Sequence, residues 1–229
     1  MFWNETKSDK PYEAPDDIVD LAFKIKCKCL PLEHTRQLSL ALHEALPWIV
    51  DEDSMGIHLI HGAESGNGWQ RPEDTKNEVL YLSRRTRMSL RLPKERLDDA
   101  ASLTGQTLSI DDYSIEVGES VVKPLSISST IFSRYVQSSE QESEDDFLRR
   151  IYAELQGMNV EVSKLLCGKT HILQGLKGDV FTRSVMLAEL KPDESVRVQQ
   201  QGLGDGRKIG CGLFLAHKGI APVKGIEDE

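Results

Sequence analysis

The order of apolar patterns along this chain repeats once, and that repeat limits the possible folds more than any other feature. Val19, Leu21, Phe23, Ile25 and Cys27 alternate with Asp20, Ala22, Lys24, Lys26 and Lys28. That is the period of a half-buried strand over 18–29. A helix over 33–48 follows, with Pro31 just before its first turn and Pro47 near its end. Apolar runs at 56–60, 79–83 and 86–92 precede a helix over 93–103 and a hairpin-like strand region over 107–124. After Ser126 the series restarts: strand 130–137, an acidic polar linker, helix 144–156, strand 160–171 and a glycine-containing turn. Strand 180–190, helix 192–201, a glycine-rich loop and strand 211–217 complete it. Each half reads β-α-β-β-α-β, which predicts an α+β protein of two tandem ferredoxin-like, RRM-like modules, 1–125 and 126–229. With 229 residues, each module has the length to bury a core.

Composition narrows the class. Hydrophobic residues at 39% and charged residues at 28% exclude a wholly disordered or collagen-like chain. No run approaches the roughly 18 apolar residues of a membrane span, and the first residues lack a signal pattern, so a soluble cytoplasmic protein is expected. Cys27, Cys29, Cys167 and Cys211 include no C-x-x-C pair and are expected to be reduced, packed thiols. A net charge of −9 argues by itself against a nucleic-acid partner. The distribution of charge argues otherwise. Arg84, Arg85, Arg87, Arg91, Lys94 and Arg96 face only Glu95 in one short stretch. That stripe reads either as a phosphate-holding surface or as the basic outer face of an amphipathic strand.

The segment Gly202-Leu203-Gly204-Asp205-Gly206-Arg207-Lys208-Ile209-Gly210-Cys211-Gly212 is the most specific local feature. Glycines let backbone N–H groups approach an anion closely while Arg207 and Lys208 neutralise it. The competing reading is a tight helix-to-strand turn whose glycines supply positive φ. The segment is not a Walker A loop, for no Gly-Lys-Ser/Thr follows, nor a dinucleotide fingerprint, because a helix precedes it and a strand follows.

A second ferredoxin-like module whose last helix enters such a loop and then a short Gly210–Phe214 strand resembles the RAMP superfamily of CRISPR-associated RNA-binding proteins. The resemblance is nearest to the repeat-processing endoribonuclease branch. It extends through 30–34, 56–58, 84–93 and 194–204, and the 62–69 loop is similar to a Myxococcus-type subfamily. It implies metal-independent cleavage of CRISPR precursor RNA within the repeat. A 2′-hydroxyl attacks the neighbouring phosphate, leaving a 2′,3′-cyclic phosphate and a 5′-hydroxyl, with no cofactor. The implied partners are the repeat hairpin with its flanking single strands and other subunits of an effector complex, and no membrane. A non-catalytic RNA-binding subunit on the same fold is the alternative.

Such chemistry needs proton transfer and charge on the phosphate. Histidine, with an ordinary pKa of about 6.5, suits the first. The family places a catalytic histidine in or near helix one, so His34 leads and His43 follows. Nine residues apart, at about 100° per residue, they lie on opposite helix faces. His34 continues the apolar stripe of Leu38, Ala41, Leu42 and Ala45 into the first turn, where it is expected to face RNA. His43 lies opposite that stripe, on an expected surface. His58 alternates away from Ile57 and Leu59 and is a candidate acid. His58-x-x-His61 raises a metal question without a clear partner set. His171 and His217 fall at expected strand ends. Arg84, Arg85, Arg87, Lys164, Lys169, Arg207 and Lys208, with Gly202, Gly204, Gly206, Gly210 and Gly212, are the candidate RNA-binding residues. Trp69 is a candidate stacking residue.

Overall fold

A computed structural model describes residues 12–61 and 78–217; Trp69 and the 62–69 loop lie outside them. Strands β1 (Ile18–Lys26), β2 (Cys29–Pro31), β3 (Gly56–His58), β4 (Val79–Tyr81), β5 (Arg87–Pro93), β6 (Thr107–Ile110) and β7 (Tyr113–Pro124) belong to the first half. With them are helices α1 (Thr35–Ala45) and α2 (Leu97–Ala101). The second half holds β8 (Ile131–Gln137), α3 (Glu144–Gly157), β9 (Lys164–Gly175), β10 (Gly178–Ala188), α4 (Pro192–Gln201) and β11 (Leu215–Ala216).

The first sheet runs β3-β5-β1-β7-β6 and the second β11-β8-β10-β9, while β2 and β4 form a separate ribbon. In both sheets the first and third strands of the β-α-β-β-α-β unit pair at the centre, antiparallel. The chain is therefore α+β with two tandem ferredoxin-like modules, and β6 extends the first sheet by one strand.

Several boundaries differ from the sequence reading for local reasons. The expected 18–29 strand breaks after Lys26, because Cys29–Pro31 leaves β1 to pair with Val79–Tyr81. Helix α1 ends at Ala45, where Pro47, unable to donate an N–H, opens a 3-10 turn over Pro47–Asp51. The 93–103 helix is a 3-10 turn followed by five α-helical residues. β9 begins at Lys164 rather than 160, since Val160 is buried in the second core just past α3. β11 keeps only two residues, because the preceding glycines hold 202–212 in turns.

Helix α3 is capped by Ser143, whose hydroxyl accepts the Asp146 N–H, and it buries Phe147, Ile151 and Leu155 at a four-residue spacing. α4 begins at Pro192, and the Glu194 carboxylate accepts the Lys191 N–H at 2.9 Å. Two clusters form the core. One joins Leu21, Phe23, Leu38, Leu42, Leu90 and Ile115, and it includes Tyr135, Leu173 and Cys211 from the second half. The other joins Ile131, Val136, Phe147, Ile151, Val185 and Phe214. Ile131 and Val136, five apart on β8, both enter the second cluster, as the register shift between β8 and β10 permits.

Candidate active site

The two modules meet along a seam, and the side chains able to move protons collect there. His34 sits at the N-terminal boundary of α1 and is 3% exposed, so the expected exposure at the first turn is corrected. Its Nδ1 lies 3.0 Å from the Pro31 carbonyl, and its Nε2 lies 3.2 Å from the Ile60 backbone nitrogen. A carbonyl only accepts and an amide N–H only donates. With these two partners a neutral ring carries its proton on Nδ1 and its lone pair on Nε2.

His34 lines a small pocket with Leu59, His61 and Tyr135. Tyr135 rests between two more imidazoles, with ring centroids 6.2 Å from His61 and 5.5 Å from His171. Beside this cluster opens a cleft of about 630 Å³, lined by His58, His61, Arg134, Tyr135 and His217 among others. The wall from the first module is the end of β3, and the wall from the second is β8 with β11. Tyr135 and Arg134 carry no local sequence signal, since segments distant in the chain converge to make the seam. His61 and His171 were visible only as a possible metal pair and a strand end.

His58 and His43 are each held by a further bond. His58 does turn away from the first core, as strand alternation requires, but its Nε2–H donates to Asp20 Oδ1 at 3.2 Å. Asp20 also takes both prongs of Arg91, Nε to Oδ1 and Nη2 to Oδ2, each at 2.8 Å. Arg91 Nη1 then reaches the carbonyls of Gln199 and Phe214 at 2.9 Å, so a buried ionic network joins the modules. Burial pushes the His58 imidazole below its ordinary range against the pull of Asp20. Burial alone would raise the Asp20 carboxyl, but the His58 hydrogen bond and Arg91 hold it far below the usual carboxylate range. His43, expected on an open surface, is half-buried, with Nδ1 2.6 Å from the Ser39 carbonyl. That face of α1 packs against the glycine loop, where Ser39 Oγ donates to the Lys208 carbonyl at 2.8 Å.

The glycine loop departs from the expected phosphate nest. All five glycines do have positive φ, from 65° at Gly204 to 85° at Gly210. Yet four of the five amides are donated internally. Gly202 donates to the Val198 carbonyl, Gly210 to Arg207 and Gly212 to Tyr135. Gly204 N–H meets an anion, but that anion is the protein's own Glu154 carboxylate at 2.9 Å. Gly206 accepts the Ile209 and Cys211 N–H groups at its carbonyl.

Arg207 spends Nη1 on the Gln200 carbonyl and Nη2 on that of Ser54, both at 2.8 Å. Burial, with Arg91 nearby and only partly offset by Asp20, brings its pKa down to about 10. Lys208 Nζ donates to the Val50 carbonyl at 2.7 Å. These two cations therefore staple the loop to the first module. The Arg84–Arg96 stripe is likewise divided. The Arg91 side chain is 0% exposed, Lys94 pairs with Asp16, and Arg96 pairs with Asp99 at 2.9 Å. Arg87 Nη1 donates to the carbonyls of Arg84 and Thr86. Arg84 and Arg85 are exposed without a carboxylate partner among the described residues, as is Lys169, while Lys164 pairs with Glu189 at 2.5 Å.

All four cysteines are free, and burial pushes the Cys211 thiol up to about 12. Among the described residues, no three His, Cys, Asp or Glu side chains gather as a metal-binding set, and no helix is long and apolar enough to cross a membrane.

Two ferredoxin-like modules thus meet at a histidine-lined cleft. A family model described as Cas6 Crispr matches residues 19–219, so the chain belongs to the Cas6 family. It is 29% identical over 197 residues to the CRISPR-associated endonuclease Cas6 of Myxococcus xanthus (strain DK1622), covering 86% of this chain and 80% of that protein. Among solved structures, one described as CRISPR associated protein Cas6 superposes with a TM-score of 0.62 at 12% identity, covering 88% of this chain and all of the other. A Cas6-related protein from Pyrococcus furiosus gives 0.62 at 13% identity, over 86% and 97% of the two chains. At these identities the structural likeness establishes the fold.

Proposed function

We propose that this protein is an endoribonuclease that cuts CRISPR precursor RNA within the repeat, without a metal ion. The observation that carries the reading is the state of His34 at the seam. Its Nδ1–H is tied to Pro31, and its Nε2 accepts the Ile60 amide at 3.2 Å, a contact that substrate can replace.

In the proposed reaction His34 Nε2 takes the proton of the 2′-hydroxyl. The O2′–P bond forms as the P–O5′ bond breaks, and His61 gives a proton to the departing 5′-oxygen. The products are a 2′,3′-cyclic phosphate and a 5′-hydroxyl. Arg134, on the wall of the same cleft, faces the charge that develops on the phosphate oxygens. Relatives described as Cas6 endonuclease and as an RAMP protein binding different RNA substrates support RNA as the partner. Docking onto further effector subunits is the expected sequel.

The test is incubation with the cognate repeat RNA in EDTA, followed by analysis of product ends. Cyclic-phosphate ends from wild type are expected, with His34→Ala slowed about 10² to 10⁴-fold while RNA affinity is kept. Tight binding by wild type without cleavage favours the non-catalytic subunit instead. Cleavage by His34→Ala at the wild-type rate removes His34 as the base.

A further inference from the structure

The ribbon of β2 and β4 ends in an exposed surface. Tyr81 is 80% exposed, opposite Cys29 in the ribbon, while its neighbour Leu80 is buried. Immediately beyond it lies a braced turn. Thr86 N–H donates to the Ser83 carbonyl at 3.0 Å, and the Ser83 hydroxyl accepts the Arg85 N–H at 3.2 Å. Arg87 Nη1 clamps the carbonyls of Arg84 and Thr86 at 3.1 and 2.9 Å. Arg84 and Arg85 occupy the two corners of that turn. The Leu82 N–H bond to the Lys28 carbonyl at 2.9 Å brings a third exposed cation alongside. None of the three has a carboxylate partner among the described residues, in a chain whose net charge is −9.

An aromatic ring left this far in water gains nothing from the core, and three cations on a stiffened turn gain nothing from internal ion pairs. Together they match a ligand with one flat apolar face and closely spaced negative charges. We infer that Tyr81 stacks on one unpaired base of single-stranded RNA while Lys28, Arg84 and Arg85 hold the adjoining phosphates. The inference rests on the proposed RNA-processing function and adds to it a second contact outside the catalytic cleft. The two sites are mechanically linked. Cys29, opposite Tyr81, lies two positions before Pro31, whose carbonyl fixes His34 Nδ1. RNA gripped at the ribbon is thereby held in register with the seam.

The experiment measures binding of the full chain to repeat RNA bearing a 2′-deoxynucleotide at the cleavage position, over a range of salt. Tyr81→Ala is expected to weaken binding about ten-fold with an unchanged salt slope, and Tyr81→Trp to restore it. Arg84→Ala with Arg85→Ala is expected to weaken binding and to flatten the slope by about 1.4, the share of two single-strand phosphates. A Tyr81→Ala variant that binds within two-fold of wild type overturns the stacking assignment, as does a loss that Trp does not repair. Wild type that cleaves repeat RNA while Tyr81→Ala binds normally removes this site alone. Wild type that neither binds nor cleaves removes the functional reading as well.

Discussion

Asp20, His58 and Arg91 show how one buried network sets the chain's response to acid. The folded His58 imidazole titrates below its ordinary range because it is buried, whereas in the unfolded chain it titrates near about 6.5. As pH falls through that range the unfolded state takes up the proton first. Stability contributed by neutral His58 is therefore complete above about 6.5 and is lost as pH falls below it. Denaturant unfolding at several pH values from 5 to 8 is expected to show this decline in wild type. His58→Gln, which retains an N–H donor for Asp20 but cannot titrate, should flatten it. An identical decline in both proteins would place the titrating group elsewhere. None of this was legible from composition. In sequence Arg91 is one member of a basic stripe, and the carboxylate that pairs with it, Asp20, is distant in the chain. A buried arginine looks like a surface arginine until the strand beside it is known. β1 and β5 supply that context by pairing Asp20 with Arg91 in register. The alternation that turned His58 away from Ile57 was legible, but not the carboxylate waiting on that side.

At the scale of elements, periodicity revealed the strands and helices because their apolar positions face one core with a fixed repeat. It blurred where an element serves both modules. The glycine-rich loop is the clearest case. Its glycines suggested either an anion nest or a turn, and the fold uses the conformational freedom to route α4 back beneath β8. Gly212 has φ of +69°, and a Cβ there would lie 2.3 Å from the Leu203 carbonyl oxygen, a backbone atom that cannot step aside. Gly157, at the end of α3, has open space around its missing side chain. Gly212→Ala is expected to cost more than the roughly 1–2 kcal/mol of a left-handed residue, because the clash adds to it. Gly157→Ala should be neutral or slightly stabilising. Thermal unfolding of the two variants compares them directly. Equal melting temperatures would mean that the loop relaxes at little cost and that its glycines serve something other than shape.

At the scale of the molecule, the twofold repeat in the sequence suggests two domains, whereas the packing couples them. The first core is completed by Tyr135, Leu173 and Cys211, all from the second half. Arg91 sends one arm to Asp20 and another to the carbonyls of Gln199 and Phe214. Arg207 reaches back to Ser54, and Ser39 reaches forward to Lys208. Removing the second half would uncover the apolar surface that Tyr135 and Leu173 cover, and would take away the two carbonyl acceptors of Arg91 Nη1. A fragment ending at residue 125 is accordingly expected to bind hydrophobic dye and to melt without a cooperative transition, while the full chain unfolds in a single calorimetric step. Two separate transitions in the full chain, or a cooperative melt of the fragment, would show that each module stands alone. The coupling also bears on catalysis. His34 and His61 come from one half and Tyr135, Arg134 and His171 from the other, so any change that loosens the seam separates the proposed base and acid from the cation that faces the phosphate. Arg91→Met, at a residue bonded to Asp20, Gln199 and Phe214, should therefore lower the cleavage rate more than it lowers RNA affinity at the ribbon turn.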